Sequence, residues 1–294
     1  MNAPPAGPDL DRLFATARPK LHRYCARMTG SVVDGEDVVQ AALMKAVEAL
    51  PQAGSIAYPE AWLFRIAHNA ALDFLRSRAR KQQVFADVDP ESVDDPIDPI
   101  ENRQDVALSL QRLMQLPAAQ RSVVILMDVL GYSLQEIAPI VESTVPAVKA
   151  ALHRGRARLR ELAATPEDAP VARLDGPQRA LLIRYVDRFN ARDFDAIRDL
   201  LADEIKLDLV ARSRLQGRKD VGSYFTNYEK IPGWRLVAGA VEGRPAVLVH
   251  LPDGPADRPA YFVLLEWADG RLLQIRDFYF ARYVVEDAAM VSIA

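Results

Sequence analysis

Between Thr144 and Arg160 the sequence Thr-Val-Pro-Ala-Val-Lys-Ala-Ala-Leu-His-Arg-Gly-Arg-Ala-Arg-Leu-Arg sets Lys149, His153, Arg154, Arg156, Arg158 and Arg160 around a seam of Val145, Val148, Leu152 and Leu159. At helical spacing the seam faces a core and the basic groups face outward. Ammonium, imidazole and guanidinium groups on such a face bind phosphates and donate to base edges. The stretch alone also fits a basic surface or coiled helix, or one that binds RNA.

A second set of polar groups lies upstream. In the helix expected from Pro59, Arg65, Asn69 and Asp73 recur every four residues, opposite Trp62, Leu63, Ile66, Ala67, Ala70 and Phe74, and Arg76, Arg78, Arg80 and Lys81 follow. An amide reads base edges and guanidinium groups hold phosphates, with Trp62, Phe64 and His68 close by for stacking. A polar stripe of this kind is also what a solvated helix face looks like.

These groups need helices to hold them. Asp34-Gly-Glu-Asp37 supplies an N-cap and an acidic first turn, after which Val38, Val39, Ala42, Leu43, Ala46 and Val47 form an apolar face that Pro51 ends. Downstream, Leu116-Pro117 precedes a helix through Val123, Val124, Leu126 and Met127 that ends near Gly131. Ser133-Leu-Gln-Glu136 is a capping box, and Leu134, Ile137 and Val141 then face a core. A turn through Glu142-Ser-Thr144 leads into the basic helix, which is the order of a helix-turn-helix with its second helix in a major groove.

Composition sets the frame. The 294 residues suggest two or three domains, and a net charge of -3 excludes coating nucleic acid by bulk charge, so DNA contacts come from local patches. Cys25 is the sole cysteine, which excludes an internal disulfide or a cysteine-rich zinc site and fits a reducing cytoplasm. Met1 to Asp9 lacks the order of a signal peptide, and the apolar run Val123 to Leu130 contains Asp128 and is too short to span a bilayer, so the expectation is a soluble chain without membrane contact. Prolines and acids from Asp87 to Glu101 read as a linker, and Ala164 to Pro170 as a second break. Beyond it, helices near Pro177–Asn190 and Phe194–Leu201 precede strands near Ile205–Val210, Ala246–His250, Tyr261–Trp267 and Leu272–Phe280.

In order along the chain, Asp34-Gly-Glu-Asp-Val-Val-Gln40, Ala61 to Arg76, Leu116-Pro-Ala-Ala-Gln-Arg121 and Tyr132-Ser-Leu-Gln-Glu-Ile-Ala138 with its basic helix resemble the extracytoplasmic-function sigma factors. The resemblance covers residues 10 to 163 and implies a promoter-specificity factor that binds core RNA polymerase and promoter DNA. It implies polymerase contacts at Asp34, Asp37 and Gln40, minus-10 reading by Arg65, Asn69, Asp73 and Arg76 with a flipped base, and minus-35 reading by Thr144, Lys149, Ala150, His153, Arg154 and Arg156. Pro139 inside the first helix of the helix-turn-helix, and Ala150 and Ala151 in place of polar side chains, depart from the pattern. Readout then leans on Lys149, His153, Arg154 and DNA shape.

From Leu174 the order of helices and strands, with Gly217-Arg-Lys-Asp-Val221 and Gly270 to Tyr279, resembles the SnoaL-like group of the nuclear-transport-factor-2 (NTF2) superfamily. That resemblance implies a cone able to hold a small molecule, with Asp208, Tyr224, Trp234, Tyr261, Asp277 and Tyr279 as pocket candidates. No pair of them stands at a spacing diagnostic of catalysis, so no enzymatic activity, cofactor or metal is expected, and a regulatory role through contact with the sigma domains or linker is. The expectation is a multidomain chain: two all-α domains, a sigma-2 helical bundle (10–83) and a sigma-4 helix-turn-helix (106–163), then an α+β NTF2-like cone (174–294), with linkers at 84–105 and 164–173. The alternative is a helix-turn-helix regulator with a small-molecule-sensing SnoaL-like domain.

Overall fold

Ser31 accepts the Asp34 backbone N–H at 3.1 Å, and this cap starts the second helix at Val32, ahead of the acidic run expected to begin it. The computed structural model describes residues 10–54, 56–84, 109–164, 174–231, 233–255 and 257–293; the acidic linker beyond Val84 and the second linker beyond Ala164 lie outside them. Helices α1 (Leu10–Thr29), α2 (Val32–Ala53) and α3 (Pro59–Val84) come first. A short helix α4 (109–114) and α5 (Ala118–Val124) follow, and α5 runs into a π-helical turn, Ile125–Val129. Then come α6 (Leu134–Ile140) and α7 (Val145–Ala163).

The helices α1 to α7 form one compact unit on one continuous core, in which Leu21, Tyr24, Phe64 and Ala67 of the first block join Leu113, Val124, Ile137 and Leu152 of the second. Two polar ties accompany it. Buried Arg121 donates to the carbonyls of Leu113 (2.9 Å), Met114 (2.9 Å), Leu116 (2.9 Å) and, across to α1, Met28 (2.6 Å). The Tyr132 hydroxyl donates to Glu60 Oε1 at 2.7 Å, and its ring meets Phe64 edge-on at 5.2 Å.

The α2 face differs in part from expectation. Val38, Val39, Ala42, Leu43 and Ala46 are buried, but Val47 is 56% exposed, and Pro51 lies within the last turn rather than ending the helix. A proline there forfeits one backbone bond near a terminus whose carbonyls are unpaired anyway.

The second unit begins with α8 (Gly176–Asn190) and α9 (Phe194–Arg198). Strands β1 (Leu201–Leu209) and β2 (Ser213–Gln216), helices α10 (Arg218–Tyr224) and α11 (Thr226–Lys230), and strands β3 (Arg235–Val241), β4 (Arg244–His250), β5 (Tyr261–Ala268) and β6 (Arg271–Asp277) follow. A 3-10 stretch, Tyr279–Asp287, leads to β7 (Met290–Ser292). The seven-stranded sheet runs β2-β1-β6-β5-β4-β3-β7, parallel only between β1 and β6. Alternate residues Val247, Val249, Tyr261, Val263 and Leu265 face a core shared with Leu182, Tyr185 and Phe189 of α8. Glu242-Gly243 and Asp269-Gly270, all with positive φ, make the tight β3–β4 and β5–β6 turns.

The expected strands at 246–250 and 261–267 match β4 and β5, whereas the strand expected through Phe280 stops at Asp277. There the Asp277 carboxylate accepts the Tyr279 N–H at 2.8 Å and turns the chain. β3 went unexpected because Ala238-Gly-Ala240 has little strand propensity. A Cβ on Gly239 would stand 2.5 Å from the Val291 carbonyl oxygen and 2.9 Å from Leu248, so close approach of β7 and β4 dictates the glycine.

Candidate functional site

The basic helix is positioned by its caps and by one close crossing. Ser133 and Glu136 form the expected reciprocal capping box of α6. Pro139 leaves only one further residue in that helix, after which Glu142 takes a left-handed φ of 50° and the Ser143 N–H returns to the Ala138 carbonyl at 2.9 Å. Thr144 then caps α7 by accepting the Ala147 N–H at 3.4 Å. Val148, Leu152, Gly155 and Leu162 are buried, and a Cβ on Gly155 would lie 2.8 Å from Val124 Cγ2 of α5. Gly155 is therefore what lets the two helices cross this closely, a constraint no basic-residue pattern reveals.

Lys149, Ala150, His153 and Arg154 lie exposed on one face of α7, at spacings of one, four and five residues from Lys149. The structure separates Arg156 from them: its Nε lies 3.0 Å from Asp128 Oδ2, and its other nitrogen bonds Oδ1. Asp128 raises the Arg156 pKa through these bonds, partial desolvation opposing. Arg158 pairs with Glu161 at 3.0 Å. Among the described residues no ion-pair partner meets Lys149, His153 or Arg154.

On α3, Arg65, Asn69, Asp73 and Arg76 form an exposed stripe as the spacing implies. Asp73 is shared between Lys45 of α2 (3.3 Å) and Arg76 (3.2 Å). Phe64 and His68, expected beside the stripe, are instead buried behind it. The Tyr24 hydroxyl lies 2.7 Å from His68 Nδ1, and burial lowers the His68 pKa to about 4, with Glu142 opposing and Arg76 reinforcing. Arg76 also lines a cavity of about 490 Å³ with Ala147 and Ala151 of α7, so the two polar helices stand beside one void.

His68 makes the helical unit acid-sensitive. Its folded pKa lies below the ordinary value near 6.5, so its contribution is full above that value and is lost as pH falls toward about 4. The interval corresponds to about 3 kcal/mol. His68→Gln should flatten the fall of denaturation midpoint between about pH 6.5 and 4, followed by far-ultraviolet circular dichroism; equal slopes would show that His68 is not the sensitive group.

Of the implied polymerase contacts, Asp37 is exposed, Gln40 is half-buried, and Asp34 meets Arg78 at 3.5 Å. Glu36, between them in sequence, is buried against Arg18. The same outer side of α2 exposes Met44 (60%), which the sequence pattern did not single out, and Val47, which that pattern assigns to the apolar face.

In the second unit, Asp277 is buried and accepts Tyr224 Oη at 2.6 Å and Tyr228 Oη at 3.4 Å, the two hydroxyls being 2.7 Å apart. Burial raises the Asp277 pKa, and the bonds from Tyr224, the Tyr279 backbone and Tyr228 oppose it. Trp234 meets Tyr228 at 5.1 Å, Tyr261 at 6.1 Å and Tyr279 at 6.0 Å between ring centroids. Five of the six pocket candidates, Tyr224, Trp234, Tyr261, Asp277 and Tyr279, are thus brought together. Asp208 is not among them. Its register partners are Arg214 and Arg276, whose nitrogens lie 3.3 and 3.7 Å from its carboxylate, while Asp277 faces the other way on β6. Tyr228, i+4 from Tyr224 across a helix break, is the member that sequence pattern did not single out.

No helix among the described residues is long and apolar enough to cross a membrane. Residues 13–81 match Sigma-70 region 2 and residues 110–159 match Sigma-70, region 4. Over 293 residues the chain is 27% identical to the ECF RNA polymerase sigma factor SigG of Mycobacterium tuberculosis, covering 89% of this chain and 78% of that protein. It is 36% identical over 157 residues to SigM of the same organism, another ECF RNA polymerase sigma factor, covering 52% of this chain and 76% of that protein. An NTF-2 like protein from Burkholderia xenovorans LB400 aligns with the C-terminal region at 21% identity, over 34% of this chain and 80% of that one, with a TM-score of 0.28. With an exposed stripe on α3, a capped basic helix-turn-helix and both sigma-70 regions in order, the chain belongs to the extracytoplasmic-function sigma factors of RNA polymerase.

Proposed function

We propose that this sigma factor engages core polymerase through the outer side of α2, around Asp37, Gln40, Met44 and Val47, and reads the two promoter elements with different helices. Arg65, Asn69, Asp73 and Arg76 of α3 serve the minus-10 element. Lys149, His153 and Arg154 of α7, with Ala150 against a base edge and Thr144 at the helix start, serve the minus-35 element. The observation that carries this reading is that these three α7 side chains share one exposed face without an ion-pair partner among the described residues, whereas Arg156 is held by Asp128. Arg156 becomes a secondary contact, available only when it leaves that carboxylate.

Two elements named 25 base pairs apart lie about 85 Å apart along B-DNA at 3.4 Å per pair. Helices α3 and α7 border one cavity of about 490 Å³, far closer than that. Simultaneous reading therefore requires the helical unit to open when polymerase binds, parting the Arg121 and Tyr132 ties. The chain acts in the cytoplasm, where polymerase works, and directs initiation without catalysis of its own.

The α+β domain is proposed to modulate how readily the helical unit engages polymerase. Truncation after Leu162 should change promoter-directed transcription by core polymerase several-fold at matched concentration. An unchanged yield would remove the modulatory role and leave the sigma assignment intact.

A further inference from the structure

We propose that the helical unit binds a small uncharged apolar molecule bearing a hydrogen-bond acceptor in the cavity between α3, α5 and α7, and that this ligand holds the unit closed. The site stands on its own geometry; only the effect of closure rests on the promoter reading above. The cavity measures about 490 Å³, with Leu72 and Leu75 of α3, Val123 of α5, and Val148 and Ala151 of α7 among its walls. A helix about 10–12 Å across fills about 400–600 Å³ per turn, so the space suits a small molecule and not a docked helix.

The ligand's polar group follows from His68. That side chain is 5% exposed and lines the cavity, and its Nδ1 lies 2.7 Å from the Tyr24 hydroxyl. Burial raises the Tyr24 pKa well above its ordinary value and lowers that of His68 to about 4, so both are neutral near pH 7. Nδ1 is the acceptor that the Tyr24 hydroxyl meets among the described residues, and the ring hydrogen therefore sits on Nε2. Nε2 has no hydrogen-bond partner among the described residues, which leaves a buried donor at the cavity wall. Ser122, the other buried polar side chain of the described lining, spends its hydroxyl hydrogen on the Ala119 carbonyl at 3.1 Å. The complement of the unmet N–H is an acceptor such as a carbonyl oxygen.

Charge at the rim selects against ions. Arg76 and Glu142 stand there with opposite signs, and the Arg76 guanidinium already holds Asp73 at 3.2 Å. An anion would face Glu142 and a cation Arg76, and either would give up water for an apolar wall. Closure follows from where the walls come from. α3 lies in the block that matches region 2, and α5 and α7 lie in the block that matches region 4. A ligand that touches both blocks is lost when they part, so its binding free energy is added to the closed arrangement.

The test titrates the purified full chain without polymerase, by isothermal calorimetry, with probes of one shape: 1-indanone, indane, indane-1-carboxylate and the ammonium form of 1-aminoindane. 1-Indanone should bind saturably, with indane at least about 5-fold weaker for want of an acceptor and both ions weaker than the ketone. Tyr24→Phe combined with His68→Phe removes the hydroxyl and the N–H together, and should bring 1-indanone down to the affinity of indane. Ala151→Phe, which fills the cavity from α7, should abolish binding of both with the circular dichroism spectrum unchanged. No saturable binding of 1-indanone by the native chain, equal binding of indane, tighter binding of either ion, or undiminished binding by Ala151→Phe would each overturn the site. With core polymerase added, saturating 1-indanone should lower promoter-directed initiation several-fold. Binding with undiminished initiation would overturn the closing role, and with it the opening required for promoter reading, while the site itself would stand.

Discussion

Arg121→Ala is expected to lower the stability of the helical unit by about 3 kcal/mol or more, the largest effect of any single side chain outside the apolar core. The guanidinium is nearly inaccessible and spends its donors on four carbonyls, Leu113 and Met114 at the end of α4, Leu116 in the turn before α5, and Met28 at the end of α1. Removing it strands those acceptors, each worth about 1 kcal/mol in lost bonding, against which stands relief from desolvating a cation. Desolvation is real here, since burial lowers the Arg121 pKa despite the opposing influence of Tyr24. The balance still favours the native arginine because its planar fork meets four backbone oxygens at once, of which only that of Leu113 also accepts a backbone donor among the described residues, the Leu116 N–H at 3.1 Å. Arg121→Lys should recover little, because one ammonium cannot span carbonyls on both sides of the side chain. Urea denaturation followed by circular dichroism measures this directly; a loss under about 1 kcal/mol for the alanine variant would mean that water replaces the guanidinium.

The same residue shows where sequence reading stops. Leu116-Pro-Ala-Ala-Gln-Arg121 was legible as a motif, but nothing in it says that its arginine reaches α1, because that contact joins residues 93 apart. Helices with strong periodicity were legible: α3 from its proline, α6 from its capping box, α7 from its seam. The caps are local interactions and so are written locally. Outward-facing Val47 was not legible, because an apolar residue reads as core whether it faces the bundle or a partner surface. In the second unit, Asp208 and Asp277 look equivalent as acids near aromatic strands. Strand parity sends one to Arg214 and Arg276 and the other to Tyr224, and parity depends on register fixed by pairing elsewhere in the sheet. β3 and β7 were not legible because their strand state comes from pairing and not from propensity: β3 lies between β4 and β7, and β7 pairs with β3 at the sheet edge.

Replacing Lys149 and Arg154 together by alanine should reduce initiation at a minus-35-dependent promoter by about 100-fold, since each base or phosphate interaction removed costs about 1 to 3 kcal/mol. Binding to core polymerase should be unchanged, because the α2 surface is untouched. Both residues are exposed and neither pairs with an acid among the described residues, so folding should be preserved as well. If the two side chains hold phosphates, the dependence of promoter affinity on salt should weaken by about two in log-log slope; if they read bases, discrimination among minus-35 variants should collapse with the slope nearly intact. Arg156→Ala provides the internal comparison. Its guanidinium already holds Asp128 through two bonds, so losing it should cost initiation only a few-fold, while Asp128→Ala should release Arg156 toward DNA and raise affinity. An Arg156 effect equal to that of the double variant would show that the Asp128 pair opens on the promoter. The readout face of α7 would then extend one residue beyond Gly155, onto the side that now packs toward Asp128.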